Sequence, residues 1–287
     1  MEAFVTYLKN EKCLSDATAA SYLQDVRRFS AFLGRDAAKA SREDAEAYIL
    51  HMQSHGRSPA TVRRSLCSLH IYYRFLEATG KTTIDPTAHI PRPENDRKLP
   101  LILTAGEAIR LMSAPVGDSP LALRDRAMLE LLYATGITVS ELVGLRIENI
   151  NLRRRTLVLR GAHRTRTVPF GRPAAAALNE YIRKARPLLL RGGGEVALFV
   201  NYTGTPMSRQ GFWKLIKKYK EQAGIDKEIT PHMLRHSFAA HLLEGGADLG
   251  SIQEMMGFID PSSTSVYTKI VENQLADVYK KAHPRAN

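Results

Sequence analysis

Between Asp85 and Pro100 the sequence DPTAHIPRPENDRKLP carries four prolines and no helical period. Proline lacks an N–H and locks φ, so neither a long helix nor a central strand passes through such a stretch. The chain is therefore expected to fold as two units, residues 1–84 and 101–287, joined by an extended linker over residues 85–100. Its 287 residues suffice for two apolar cores, and 44% hydrophobic with 24% charged residues is ordinary for a folded protein.

Before the linker, Phe4, Tyr7 and Leu8, then Tyr22, Leu23, Val26, Phe29 and Leu33, recur at three- and four-residue steps, which predicts a helical bundle. Ser41 with Asp44 opens an amphipathic segment through Tyr48 and Ile49. Ser58-Pro59 opens a helix that runs to Leu76 and is closed by Gly80. Arg57, Arg63, Arg64 and Arg74, in and beside that helix, either line a DNA-facing surface or form a solvated face.

Beyond the linker, Thr104-Ala105-Gly106-Glu107 predicts a capped helix start, ALRDRAMLELLYATG a helix ended by Gly136, and Ser140-Glu141-Leu142 a short third one. TLVLRGAHRTRTVPF, Thr156 to Phe170, changes to two β-branched runs around Gly161-Ala162 and predicts a hairpin. Gly192-Gly193-Gly194 separates a long helix from a short strand in ALFVNY, and Phe212, Trp213, Ile216 and Tyr219 mark a basic amphipathic helix. The expected fold is mainly α with a small β-sheet in the C-terminal unit.

Charge narrows the partner. Lys and Arg number 41 against 29 Asp and Glu, a formal +12. Residues 1–90 hold 12 basic and 10 acidic residues, a net of +2, so +10 lies on residues 91–287. A polyanion is favoured, although ribosome association, a membrane surface or solubility would also account for the sign. The hairpin sharpens this, because residues 153–166 hold six arginines and no acidic residue. Nucleic acid is the expected partner, with Arg63, Arg64, Arg160, Arg164, Arg166 and His236 as candidate contacts. Two cysteines, Cys13 and Cys67, form no disulfide framework, the N-terminus has no continuous apolar stretch, and nowhere do eighteen apolar residues run together. A cytoplasmic, non-membrane protein is expected.

Chemistry concentrates between His232 and Tyr267. In TPHMLRHSFAAHLLEGG, Thr230-Pro231 starts a helix that puts His232, Arg235 and His236 on one face. Arginine offers a planar fork for two phosphate oxygens, and histidine moves a proton near neutral pH. About thirty residues later PSSTSVYTKI starts another helix carrying Tyr267, whose hydroxyl can attack phosphorus. No HExxH spacing or clustered cysteine and carboxylate suggests a metal.

LLYATGITVSELVGL, HMLRHSFAAHLLEGGADLGSIQEMMG, and a tyrosine ten residues after Gly257 together resemble the tyrosine recombinases of the bacterial Xer type. SPATVRRSLCSLHIYYRFL is similar to that family's N-terminal SAM-like core-binding domain, and VENQLADVYKKAHPRA to its C-terminal helix, which docks onto a neighbouring protomer. The resemblance implies a two-domain DNA clamp, association with itself or a related recombinase as a tetramer on DNA, and site-specific recombination without cofactor or metal. It further implies Tyr267 as the nucleophile that forms a 3′-phosphotyrosine link, His232 as a proton-handling group and Arg235 as one of two arginine clamps.

Three of the six family positions differ. The first arginine falls at Thr138, the hairpin lysine at Gly161, and the third histidine or tryptophan at Phe258. Each donor lost from a developing oxyanion costs about 2.7–4 kcal/mol, or 10²–10³ in rate. Simple addition gives a deficit on the order of 10⁶–10⁹, an upper bound because groups acting together are not additive. With Thr138 uncharged, Glu141 loses its expected partner and should face solvent. The expectation is a recombinase-like DNA-binding protein that is catalytically impaired or inactive. The alternatives are an active recombinase compensated by Arg160, Arg164 or Arg166, and a non-specific nucleic-acid-binding protein.

Overall fold

The computed structural model describes residues 1–91, 93, 100–160, 165–257 and 267–268. Gly161, Arg164, Phe258 and the C-terminal helix lie outside them. The chain divides into two compact units, Met1–Arg97 and Lys98–Asn287.

The first unit is helical: α1 (Glu2–Asn10), α2 (Asp16–Leu33), α3 (Arg42–Ser54) and α4 (Pro59–Ala78). Its boundaries are set by side chains that satisfy free helix-end amides. Ser15, Ser41 and Ser58 accept backbone N–H groups at the starts of α2, α3 and α4, with Asp44 completing a capping box at α3. The periodic residues Phe4, Leu8, Val26 and Phe29 are buried against Leu66, Leu69, Tyr73 and Leu76 of α4, while Tyr7, Tyr22, Leu23 and Leu33 pack on the rim.

Among the described residues of this unit, one charge is buried. Asp25 receives Nε and Nη2 of Arg64, both at 2.9 Å, and the Ser68 hydroxyl at 3.0 Å. Asp85 to Ile90, expected to begin the linker, are instead held on the bundle. Asp85 pairs with His70 at 2.5 Å and caps the Thr87 amide at 2.8 Å, and Ile90 packs on the core.

The second unit places a three-stranded antiparallel sheet among helices α5 (Ala105–Ser113), α6 (Pro120–Thr135), α7 (Val139–Gly144), α8 (Arg172–Glu180), α9 (Arg186–Leu190), α10 (Arg209–Gln222), α11 (Pro231–Glu244) and α12 (Leu249–Met256). Strands β1 (Ile150–Asn151), β2 (Thr156–Arg160) and β3 (Thr165–Pro169) lie in that order, and the last two form the expected hairpin.

Three sequence expectations change. α7 starts before Ser140, because Thr138 is its cap: the Thr138 hydroxyl accepts from the Glu141 amide and Glu141 returns the bond. The long helix after the hairpin loosens into a π turn over Tyr181–Ala185, just before Pro187, which has no N–H to continue the ladder. ALFVNY forms only isolated bridges, Arg146 with Ala197 and Val200 with Pro206, so it is not a strand of the sheet.

Because Asp25 is buried and its partners are specific, Asp25→Ala should lower the stability of the full chain by about 1–3 kcal/mol in urea unfolding. An unchanged midpoint would show that Arg64 and Ser68 do not depend on it.

Candidate active site on the second unit

Helix α11 opens at Pro231, where the missing N–H costs nothing, and Thr230 accepts the Met233 amide as its cap. His232, Arg235 and His236 share a face as the spacing predicted, but at different depths. His232 is exposed, His236 half-buried and Arg235 buried.

Arg235 ties three helices together. Its Nη1 donates to the Gly136 carbonyl and its Nη2 to the Met256 carbonyl at 2.6 Å. Both acceptors are helix C-termini, the cap of α6 and the last residue of α12, where unused carbonyls gather negative potential. Gly136 has φ 59°, and a Cβ there would run into the Phe238 ring. Glycine is thus required for the left-handed cap and for the approach of α11. Burial pushes the Arg235 guanidinium below its ordinary pKa, and Glu141 opposes that shift.

The Tyr267 hydroxyl lies 2.9 Å from Nδ1 of His236. Its ring is fully buried in a small cluster with Phe238, Ile252 and Met256. Burial raises the phenol pKa, with Arg235 acting the other way. Burial, then His232 and Arg235, depress His236 to about 4. His236 is therefore neutral at neutral pH, and in its Nε2–H tautomer Nδ1 accepts the phenolic proton.

Arg166 was grouped with the DNA contacts of the hairpin, but strand register turns it inward. Leu157 pairs with Val168 and Leu159 with Arg166, and cross-strand partners share a face. The leucines and Val168 are buried, so Arg166 points into the unit as well. Its Nη1 meets Glu141 at 2.7 Å, and its Nε donates to the Met255 carbonyl at 2.9 Å. Glu141 accordingly does not face solvent. Burial disfavours its charge, but Arg166 and the Thr138 amide outweigh this and hold its carboxyl below the usual range. Thr138 spends its amide and hydroxyl on Glu141, at 2.8 and 2.9 Å.

The remaining candidates are spread out. Arg160 is exposed at the end of β2, beside a groove of about 460 Å³ also lined by Glu141 and Arg146. Arg63 is exposed on α4, whereas Arg64 there is committed to Asp25. Arg164, Gly161 and Phe258 fall outside the described residues. Two signals in the sequence mark what the spacing argument missed. Thr138 and Glu141 stand at capping-box distance, and the two-residue alternation from Val168 puts Arg166 on the buried face. Among the described residues no cluster of three His, Cys, Asp or Glu can hold a metal, and no helix is long and apolar enough to cross a membrane.

Comparison with known proteins finds matches over both units. The phage integrase family profile covers residues 102–274, and the phage integrase N-terminal SAM-like domain covers residues 1–80. Tyrosine recombinase XerD of Oceanobacillus iheyensis is 42% identical across 100% of this chain and 98% of its own, and XerD of Mycobacterium tuberculosis 37% across 100% and 97%. The crystal structure of XerA recombinase aligns with 99% of this chain and 98% of its own at 25% identity and a TM-score of 0.56. That of XerH bound to palindromic difH substrate aligns with 97% and 84% at 20% identity and a TM-score of 0.77.

Two outcomes follow from the geometry. Gly257 has φ 70°, and a Cβ there would stand 2.8 Å from Nη1 of Arg166. Gly257→Ala should therefore cost about 1–2 kcal/mol from the left-handed backbone alone, seen as a lower melting temperature. Folded His236 stays neutral down to about pH 4, while in the unfolded chain it protonates near about 6.5. The unfolded state binds more protons in that window, so stability should fall as pH drops through it. Urea unfolding across the window should show a shallower loss for His236→Gln than for the parent, and equal slopes would exclude His236 as the source.

Proposed function

The chain belongs to the phage integrase family as a Xer-type tyrosine recombinase, and from that premise we propose that it binds a specific duplex DNA site and cuts and rejoins it slowly through Tyr267. The observation that carries this reading is the Tyr267 hydroxyl held 2.9 Å from a neutral His236, on the helix that also carries Arg235 and His232.

In the reaction the Tyr267 oxygen attacks the scissile phosphorus, the bond from phosphorus to the 5′-oxygen breaks, and the 3′-phosphate stays on tyrosine. His236 is placed to take the phenolic proton. The leaving 5′-oxygen needs a proton, and exposed His232 is the group on this face suited to give it. Arg235 stabilises charge on the phosphate oxygens. Each bond broken is replaced by one of the same kind, so the chemistry requires no cofactor.

Slowness follows from the positions that differ. Thr138 is occupied as a helix cap, glycine at 161 has no side chain to protonate a leaving group, and phenylalanine at 258 cannot donate a hydrogen bond. The basic surface, including Arg63 and Arg160, supplies phosphate contacts that position the duplex. Further copies of this chain or of a related recombinase complete a tetramer on DNA, in the cytoplasm. Relatives in this fold point the same way: XerH is bound to difH substrate, and the Tn1549 integrase to circular intermediate DNA.

The test uses a duplex selected by the protein from a random pool and nicked near the cut site, so that a covalent adduct accumulates. A slow adduct absent in Tyr267→Phe is expected, and Gly161→Lys with Phe258→His should speed it by about 10² or more. No adduct from the parent or the restored chain would overturn the reading, as would a fast adduct that the restorations leave unchanged. Equal affinity for selected and scrambled duplex would favour non-specific binding instead.

A further inference from the structure

We propose that Arg166 is the second guanidinium of the phosphate site, supplying from β3 the charge that Thr138 cannot; this rests on the reading of the site as a tyrosine-recombinase centre. Four observations converge on it. The strand register sends Arg166 inward, whereas Arg160, paired with Thr165 on the opposite face, is exposed. Arg166 and Arg235 grip successive carbonyls at the end of α12, Met255 through Nε at 2.9 Å and Met256 through Nη2 at 2.6 Å. The two guanidinia therefore stand side by side at the terminus that precedes the tyrosine-bearing segment.

The third observation is an unused donor. Nη2 of Arg166 is buried and has no hydrogen-bond partner among the described residues. A buried charged donor left unpaired is costly and uncommon, and an anionic oxygen is the partner it lacks. The fourth is close approach. A Cβ at Gly257 would stand 2.8 Å from Nη1 and 2.9 Å from Cζ of Arg166, so glycine is what lets this guanidinium lie against the end of α12. Glu141 fixes the guanidinium at Nη1 and leaves Nη2 to serve a ligand.

A guanidinium beside Arg235 would donate to a non-bridging phosphate oxygen as charge builds there. Thr138 is then not a vacancy. Its hydroxyl and amide help hold the carboxylate that holds Arg166.

The test compares full-length parent, Arg166→Ala and Arg166→Lys on two nicked duplexes, one with the natural scissile phosphate and one with an uncharged methylphosphonate there. Arg166→Ala should slow adduct formation by about 10²–10³ on the phosphate duplex and far less on the neutral one. Arg166→Lys, with a charge but no fork, should fall between. Thr138→Arg should recover part of the rate in Arg166→Ala and add little to the parent. Equal slowing on both duplexes would make Arg166 a structural strut and overturn the proposal, as would no slowing on either. Melting temperatures establish that each variant folds, and Arg166→Lys carries the comparison if Arg166→Ala does not. Should the parent form no adduct, which sinks the proposed function, orthovanadate decides the matter separately. It should tighten parent binding to the nicked duplex and not that of Arg166→Ala, and equal or absent tightening rejects the role of Arg166.

Discussion

The second unit hangs on one buried guanidinium. Arg235 reaches from the middle of α11 to the carbonyl at the end of α6 and the carbonyl at the end of α12. Burying an arginine is expensive, and two backbone acceptors at negative helix termini offset that cost where water cannot. Fixing those two ends against α11 also fixes what the three helices carry: the Gly136 turn into Thr138, the face that holds His232 and His236, and the carbonyl that meets Arg166. The site is in this sense a meeting of helix termini.

Around that centre, polar groups are spent in pairs. Thr138 caps α7 and secures Glu141, Glu141 secures Arg166, and Met255 and Met256 present adjacent carbonyls to the two arginines. Tyr267 and His236 share one hydrogen bond inside an apolar cluster. Burial has opposite effects on these two groups, since it raises the phenol pKa and lowers that of the imidazole, and both groups stay neutral at neutral pH. The pair rests uncharged, and the arginines hold the positive charge of the site.

The same logic holds outside the site. On the first unit, Arg64 and Arg63 are neighbours in sequence and both exposed, but Arg64 is committed to buried Asp25. On the hairpin, strand face divides exposed Arg160 from inward Arg166. Basic residues that look equivalent in a charged run are separated by the carboxylates they meet, so net charge alone overstates the charge available to a polyanion.

Much was written locally in the sequence. The prolines between Asp85 and Pro100 divide the chain, serine and threonine caps begin the helices, Gly136 ends α6, and the spacing of His232, Arg235 and His236 puts them on one face, because each depends on a few adjacent residues and their backbone geometry. The resemblance also assigned Tyr267, although its approach to His236 across thirty-one positions is a tertiary fact. What only the folded chain decided were the long-range partners. Glu141, expected in solvent, is paired because β3 delivers Arg166 to it, and Asp85 belongs to the bundle because His70 lies within reach. ALFVNY has the composition of a strand but no full ladder to join, since pairing requires a neighbour that sequence position cannot supply.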